Sequence, residues 1–247
     1  MRDLTVLYED DDLLVVDKPA GVVVHPAYKN KDNTLLDALQ WRAREWPRGA
    51  RPSLVGRLDK LTSGIVVIAK TAQIHAALQR TLGSPASEKI YLAVVYGRVD
   101  AAGVRGGEIG APLGFDPDDR RRIVVTPGGW RSVTRFDTIA SLDAPRAGLS
   151  LLRCGLVTGR RHQLRVHLAS RGWPIVGDEK YGEPRWRDIE DPTLAALARE
   201  CPRQALHACR VAFAHPATGV RVVVEAATPA DLDALLQVFL LHTTRHV

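Results

Sequence analysis

The most chemically loaded short segment of the sequence is a carboxylate set between cations. Gly56-Arg57-Leu58-Asp59-Lys60-Leu61-Thr62-Ser63-Gly64 places Asp59 between Arg57 and Lys60 and follows it with two hydroxyls and a glycine. Nearby cations keep an aspartate ionised even where water is partly excluded. Such a carboxylate can act as nucleophile or base at a sugar carbon. It can equally brace a loop through an ion pair. A second segment, Thr158-Gly159-Arg160-Arg161-His162-Gln163-Leu164-Arg165-Val166-His167, gathers three arginines and two histidines at an expected helix start. Helix N-termini and guanidinium groups both favour anions. On that helix Arg165 stands one turn beyond Arg161 and His162, placed to reach a carboxylate from elsewhere; a solvated basic face fits the same pattern. In Glu88-Lys89-Ile90-Tyr91-Leu92-Ala93, strand alternation puts Lys89, Tyr91 and Ala93 on one face. Tyr91 could there stack on a base or accept a proton, or be an ordinary half-buried aromatic.

The surrounding pattern says which elements hold these segments. Val6 to Tyr8 and Leu13 to Val16 read as strands joined by the acidic turn Glu9 to Asp12, and Val22 to Val24 as a further strand after Pro19-Ala20-Gly21. Thr34 to Trp46 has apolar residues at helical spacing with Thr34 or Asn33 as cap. Ile65 to Ala69 is a β-branched apolar run of strand length. Gln73 to Leu82 predicts a helix ended by Gly83, and Tyr91 to Tyr96 a strand. Ala101 to Asp119 is rich in Gly, Pro and Asp and reads as loop or irregular hairpin. The basic run Arg120 to Arg122 leads into Ile123 to Val125, and Val133 to Ile139 and Leu149 to Leu156 read as paired strands. Arg160 to Arg171 predicts a helix capped by Thr158 and stopped by Gly172. A short helix at Pro192 to Glu200, a hairpin across Pro216 to Gly219 and a closing helix at Pro229 to Leu241 complete the reading. Interleaved helices and strand-turn-strand pairs predict an α+β protein with a mixed, largely antiparallel sheet and flanking helices.

Composition narrows the partners. The chain has 247 residues and a formal net charge of +6, a mild excess that suits a polyanion without requiring one. Cys154, Cys201 and Cys209 form no CxxC pair or zinc-spaced cluster, so no metal is expected. There is no GxGxxG fingerprint and no P-loop, so no nucleotide cofactor is expected either. No apolar stretch reaches the ~20 residues that span a bilayer, and the opening residues lack a signal-peptide pattern. The expectation is a cytoplasmic protein with no membrane partner, a monomer by default.

Together these segments resemble the RluA family of RNA pseudouridine synthases. Val15-Val16-Asp17-Lys18-Pro19-Ala20-Gly21 with His25-Pro26 is similar to that family's first motif. Arg57-Leu58-Asp59 with Thr62-Ser63-Gly64 resembles its catalytic motif, and Lys89-Ile90-Tyr91-Leu92-Ala93 its tyrosine motif. Thr158 to His167, then Pro174 to Asp178 and Tyr181-Gly182, resembles its third large motif. Leu206-His207-Ala208 with His215-Pro216 matches the closing segment. The matches run in order along nearly the whole chain. One position departs: the family's usual histidine before Arg-Leu-Asp is Gly56 here.

The resemblance implies the pseudouridine synthase fold with a central RNA-binding cleft, one catalytic domain over residues 1–247 and no N-terminal S4-type domain. It implies a cofactor-independent isomerase that flips specific uridines out of structured RNA, a ribosomal or transfer RNA stem-loop. Asp59 would attack C1′ or remove the C2′ proton. Arg165 would pair with Asp59, Tyr91 would contact the uracil, and Arg57 would fill the gap left by the flipped base. Lys18, Lys60, Arg160, Arg161 and His162 are the remaining candidates for RNA contact. Two other readings use the same residues: an RNA phosphodiesterase employing His162, His167 and His207, and a non-catalytic RNA-binding module.

Overall fold

The structure is a computed structural model that describes residues 4–26, 32–100, 105–142 and 148–243. In chain order its elements are β1 (Thr5–Glu9), β2 (Leu13–Lys18), α1 (Leu35–Arg42), β3 (Ser53–Val55), β4 (Ser63–Ala69), α2 (Ala72–Leu82), β5 (Glu88–Tyr96), β6 (Gly106–Ile109), β7 (Leu113–Phe115), β8 (Ile123–Val125), β9 (Thr134–Leu142), β10 (Leu149–Leu156), α3 (Gln163–Ser170), α4 (Pro192–Glu200), β11 (Leu206–Ala214), β12 (Arg221–Glu225) and α5 (Ala230–Thr243). It is a mixed α+β protein with mostly antiparallel strand pairing, as the strand-turn-strand pattern predicts. Among the described residues no helix is long and apolar enough to cross a membrane. Two compact units emerge: residues 1–89 with 208–227, and residues 90–207 with 228–247.

In the first unit β2 pairs with β1 on one side and β4 on the other, β3 adds to β4, and β11 pairs with β12. β4 is buried along all seven residues, which explains its unbroken apolar run. Ile65, Val67 and Ala69 pack with Ile74, Leu78 and Leu82 of α2. Val66 and Ile68, on the opposite face, pack with Leu35 and Leu39 of α1. Thr34 caps α1 in a reciprocal capping box with Asp37. The helix gives way to a 3-10 turn at Ala43–Glu45, short of the Trp46 end expected from spacing.

The segment Val22 to Val24 is not a strand. Its carbonyls are taken elsewhere: Val23 and Val24 accept from the backbone N–H groups of Leu35 and Leu36, so the segment closes the start of α1 instead of joining a sheet.

The second unit builds an antiparallel sheet in the order β5, β10, β9, β6. β7 and β8 form a separate hairpin. Two short strands therefore occupy the stretch whose composition suggests a loop; its first four residues, 101–104, lie outside the described residues. The core here gathers Val94, Leu149, Leu152, Leu164 and Leu168 with Leu232, Leu235 and Phe239 of α5. α5 is clamped by Arg203, 4% exposed, which donates to both carboxylate oxygens of Asp231 at 2.6 and 2.9 Å and to the carbonyls of Gln204 and Leu206.

One glycine in the first unit is fixed by a close approach. Gly64 has φ +111°, and a Cβ there would stand 2.3 Å from the Ala208 carbonyl oxygen. Two distant motif residues thus meet because β4 and β11 pass each other with no room for a side chain. Gly64→Ala should lower the free energy of unfolding by at least about 3 kcal/mol, from positive-φ strain and the backbone clash together. Urea denaturation checks this; a midpoint within about 0.2 M of wild type would contradict the contact.

Candidate active site

Asp59 lies on the loop between β3 and β4, half-buried, with Arg57 and Lys60 exposed on either side. The loop closes as a turn in which the Thr62 N–H donates to the Asp59 carbonyl at 3.1 Å. Thr62 and Ser63 are buried, and Leu58 packs against the apolar cluster beside α1. The carboxylate is therefore presented from an anchored turn.

The anchor is Lys18. It is fully buried at 0% exposure, and its ammonium donates to the carbonyls of Pro19 at 2.8 Å, Val22 at 2.9 Å and Lys60 at 3.2 Å. The Lys60 carbonyl also accepts from the Gly21 N–H at 2.8 Å. The first motif thus ties itself to the residue next to Asp59. This corrects the expectation that Lys18 meets RNA phosphate: its ammonium is turned onto backbone carbonyls inside the protein, and Lys60 and Arg57 remain the exposed cations of the loop.

Gly56, where a histidine is usual in the resembled family, takes φ +97°, and nothing lies within 4 Å of the place a Cβ would occupy. The space is open; the backbone conformation is what a side chain would resist.

His215, in the same unit, accepts at Nδ1 from the N–H groups of Ala217 and Thr218 at 3.3 Å each. Its proton therefore sits on Nε2, which lies 3.0 Å from Asp10 Oδ2 and 3.9 Å from Asp12 Oδ2.

Tyr91, Arg160, Arg161, His162 and Arg165 belong to the second unit. Tyr91 is half-buried on β5, opposite Cys154 of β10. Arg165 is 8% exposed and forms a two-pronged pair with Asp178, Nε to Oδ2 and Nη2 to Oδ1, both 2.7 Å. Asp178 Oδ1 also accepts from the N–H groups of Lys180 at 3.0 Å and Tyr181 at 3.1 Å. The pair is thus held by a turn that the same carboxylate organises. Tyr181 lies under Arg165, 5.0 Å from guanidinium carbon to ring centre. Its hydroxyl contacts His162 Nδ1 at 2.7 Å and accepts from the Ile123 N–H at 3.0 Å. Asp178 and Tyr181 position Arg165, a part that residue-type reasoning left unassigned; their place in the third motif of the resembled family was the available signal.

The basic segment differs from its expected shape. α3 begins at Gln163, with His162 at its N-cap in a left-handed conformation, φ 55°, and no side-chain cap. Arg160 and Arg161 precede the helix and are exposed. Thr158 does not cap it: its hydroxyl accepts from the Val133 N–H at 2.8 Å and bonds Gln163 Oε1 at 2.8 Å. Gln163, 2% exposed, also accepts from the Arg160 N–H and donates to Val133 O and Thr134 Oγ1, each at 3.0 Å. A buried amide with its capacity filled fixes this turn where a cap was expected. Burial, then the neighbouring Arg161, hold the Lys180 ammonium below its ordinary pKa, a sign that positive charge is concentrated here.

Residues 12–170 match the RNA pseudouridylate synthase family. The chain is 41% identical over 234 residues to ribosomal large subunit pseudouridine synthase D of Nitrosomonas europaea, covering 95% of this chain and 64% of that protein. It is 40% identical over 236 residues to the protein of the same name from Pseudomonas aeruginosa, covering 95% and 71% respectively. The chain spans about two thirds of the length of these relatives. Among solved structures, human RNA Pseudouridylate Synthase Domain Containing 4 has a TM-score of 0.72 at 24% identity, covering 94% of this chain and 93% of that one. That likeness concerns the fold.

Lys18→Met should lower stability by about 2–4 kcal/mol, because three inward carbonyls lose a charged donor. A surface lysine changed the same way should move it by no more than about 0.5 kcal/mol. Thermal or urea unfolding distinguishes a brace from a phosphate contact.

Proposed function

The chain belongs to the RNA pseudouridylate synthase family, and from that premise we propose that it isomerises uridine to pseudouridine in RNA, with Asp59 as the catalytic carboxylate. The observation that carries the reading is the Asp59 turn: a half-exposed carboxylate between two exposed cations, held by a buried ammonium through the adjoining carbonyl. The reaction breaks N1–C1′, turns the uracil and joins C5 to C1′, with no redox change and no added atom. Asp59 acts at the sugar, by attack on C1′ or removal of the C2′ proton. Tyr91 contacts the uracil and is the acceptor for the C5 proton. Arg165, fixed in direction by Asp178, supplies positive charge to the carboxylate chemistry. Arg57 enters the space of the flipped base, and Lys60, Arg160 and Arg161 meet phosphate.

The names of the similar bacterial proteins support large-subunit ribosomal RNA as the substrate, and the reading is of a cytoplasmic enzyme acting as a monomer. The phosphodiesterase alternative is disfavoured by its histidines. His167 is 0% and His207 1% exposed. His167 donates from Nε2 to the Ala111 carbonyl at 2.9 Å and its Nδ1 meets Thr134 Oγ1, while burial lowers its pKa. A neutral, internally bonded imidazole is no acid-base pair for a phosphodiester.

Asp59→Asn should abolish tritium release from large-subunit ribosomal RNA carrying 5-tritiated uridine while leaving RNA affinity within about fivefold. Release at the wild-type rate would remove Asp59 from the chemistry. Asp178→Asn, which loosens Arg165 without touching RNA, should cost about 10²-fold in kcat and leave the salt dependence of RNA binding unchanged. A changed salt slope would mean that Asp178 acts on RNA affinity instead.

A further inference from the structure

The β7–β8 hairpin carries aromatic surface that its own packing does not use. Its inner residues, Leu113 at 0% and Ile123 at 2% exposure, pack with Val166 of α3 and with Tyr181, and the Tyr181 hydroxyl pins the Ile123 N–H. At its outer end Phe115, Val125 and Trp130 are 43%, 42% and 45% exposed. Scattered exposed apolar residues are ordinary, but two large aromatic rings held against each other in the open are a patch. Their geometry is fixed. Trp130 and Leu113 exchange two backbone hydrogen bonds at 2.7 and 3.0 Å. The Phe115 and Trp130 rings meet edge to face at 5.3 Å and 82°. Between these rings and the turn lies an open cavity of about 280 Å³ lined by Gly114, Phe115, Pro127, Gly129 and Trp130. The recess is open to solvent on one side, and the Phe115 and Trp130 rings form its aromatic wall.

The rim carries both signs of charge: Asp116, Asp118 and Asp119 share the β7–β8 turn with Arg120, Arg121 and Arg122. The Arg120 guanidinium lies 5.6 Å from the centre of the Phe115 ring. Arg121 and Arg122 are paired with Asp119 and Asp116. Arg131 and Arg160 are exposed and joined through a 3.4 Å bond from Arg160 Nε to the Arg131 carbonyl. A fixed aromatic wall beside an open recess, with the Arg120 guanidinium left outside the two ion pairs of the turn, matches the way proteins hold unstacked bases: π-faces take the ring and cations take the phosphates beside it.

We propose that the Phe115–Trp130 recess binds a second, non-reacting nucleobase of the substrate RNA, an unpaired base stacked on these rings with its phosphates against Arg120 and Arg131. This rests on the proposed action on RNA and adds a contact that selects substrates by an unstacked base at a second place. Because the hairpin is tied through Tyr181 to the turn that holds Arg165, the contact is made from a fixed platform.

The test uses the full chain and transcribed large-subunit ribosomal RNA. Phe115→Ala and Trp130→Ala should each raise KM about tenfold, as loss of one stacked base does, with kcat within about threefold of wild type; Trp130→Phe should keep KM within about threefold. KM unchanged in both alanine variants overturns the proposal. Photo-crosslinking of wild-type protein to RNA containing 4-thiouridine gives a reading independent of turnover. A cross-linked peptide from residues 113–130 supports the site, and cross-links confined to other peptides overturn it. Should wild-type protein release no tritium, the isomerase reading fails, and the cross-link still decides the recess.

Discussion

A buried ammonium holds the loop on which the proposed chemistry depends. Lys18 gathers the carbonyl oxygens of Pro19, Val22 and Lys60 around one charge. Taking a charge out of water is expensive, and well-aimed dipoles offset that cost. The arrangement is stringent for that reason: the carbonyls must converge, so the turn after β2 and the turn bearing Asp59 are fixed together. Gly64 adds a second stringency beyond the loop, where β4 passes Ala208 too closely for any side chain. A carboxylate held between these two constraints has little freedom to drift, and catalytic geometry tolerates errors of less than about 1 Å.

The second unit uses a different device. Arg165 is directed by a carboxylate that also accepts two backbone N–H groups, and the aromatic ring beneath it belongs to the same turn. Tyr181 then spends its hydroxyl on His162 and on β8. One short turn thereby orients the arginine, the N-cap of α3 and the β7–β8 hairpin. Burial first, and then repulsion from Arg161, Arg165 and Arg122, lower the Lys180 pKa. Such concentrated charge suits a polyanion partner more than the net charge of +6 alone suggests.

What could be read from the chain follows physical range. β4, α2 and α4 were legible because each advertises itself locally, by an unbroken β-branched run, by helical spacing, or by Asp191 and Pro192 at a helix start. The Asp59, Tyr91 and Arg165 segments stood out by residue type and order. The failures are long-range. Val22 to Val24 has strand composition, yet its carbonyls go to α1 and to Lys18. β6 and β7 are short and glycine-containing, and exist because β9 and β8 supply partners. The missing cap at Thr158 was displaced by Gln163, whose burial no local pattern reveals. A lysine in a polar motif looks like a phosphate ligand until its surroundings show that it points inward.

The discontinuous make-up of the first unit has a consequence for biosynthesis. Its sheet needs Ala208 and the strands that follow, more than a hundred residues after Lys89. At ribosomal speeds of about 5–20 residues per second, the opening segment waits on the order of ten seconds for its last strands. During that interval β4, apolar on both faces, lacks one of its neighbours. The nascent chain therefore passes through a stage in which β4 has its helices and β2 but an open edge where β11 will lie, and holdase chaperones have their greatest opportunity at that stage.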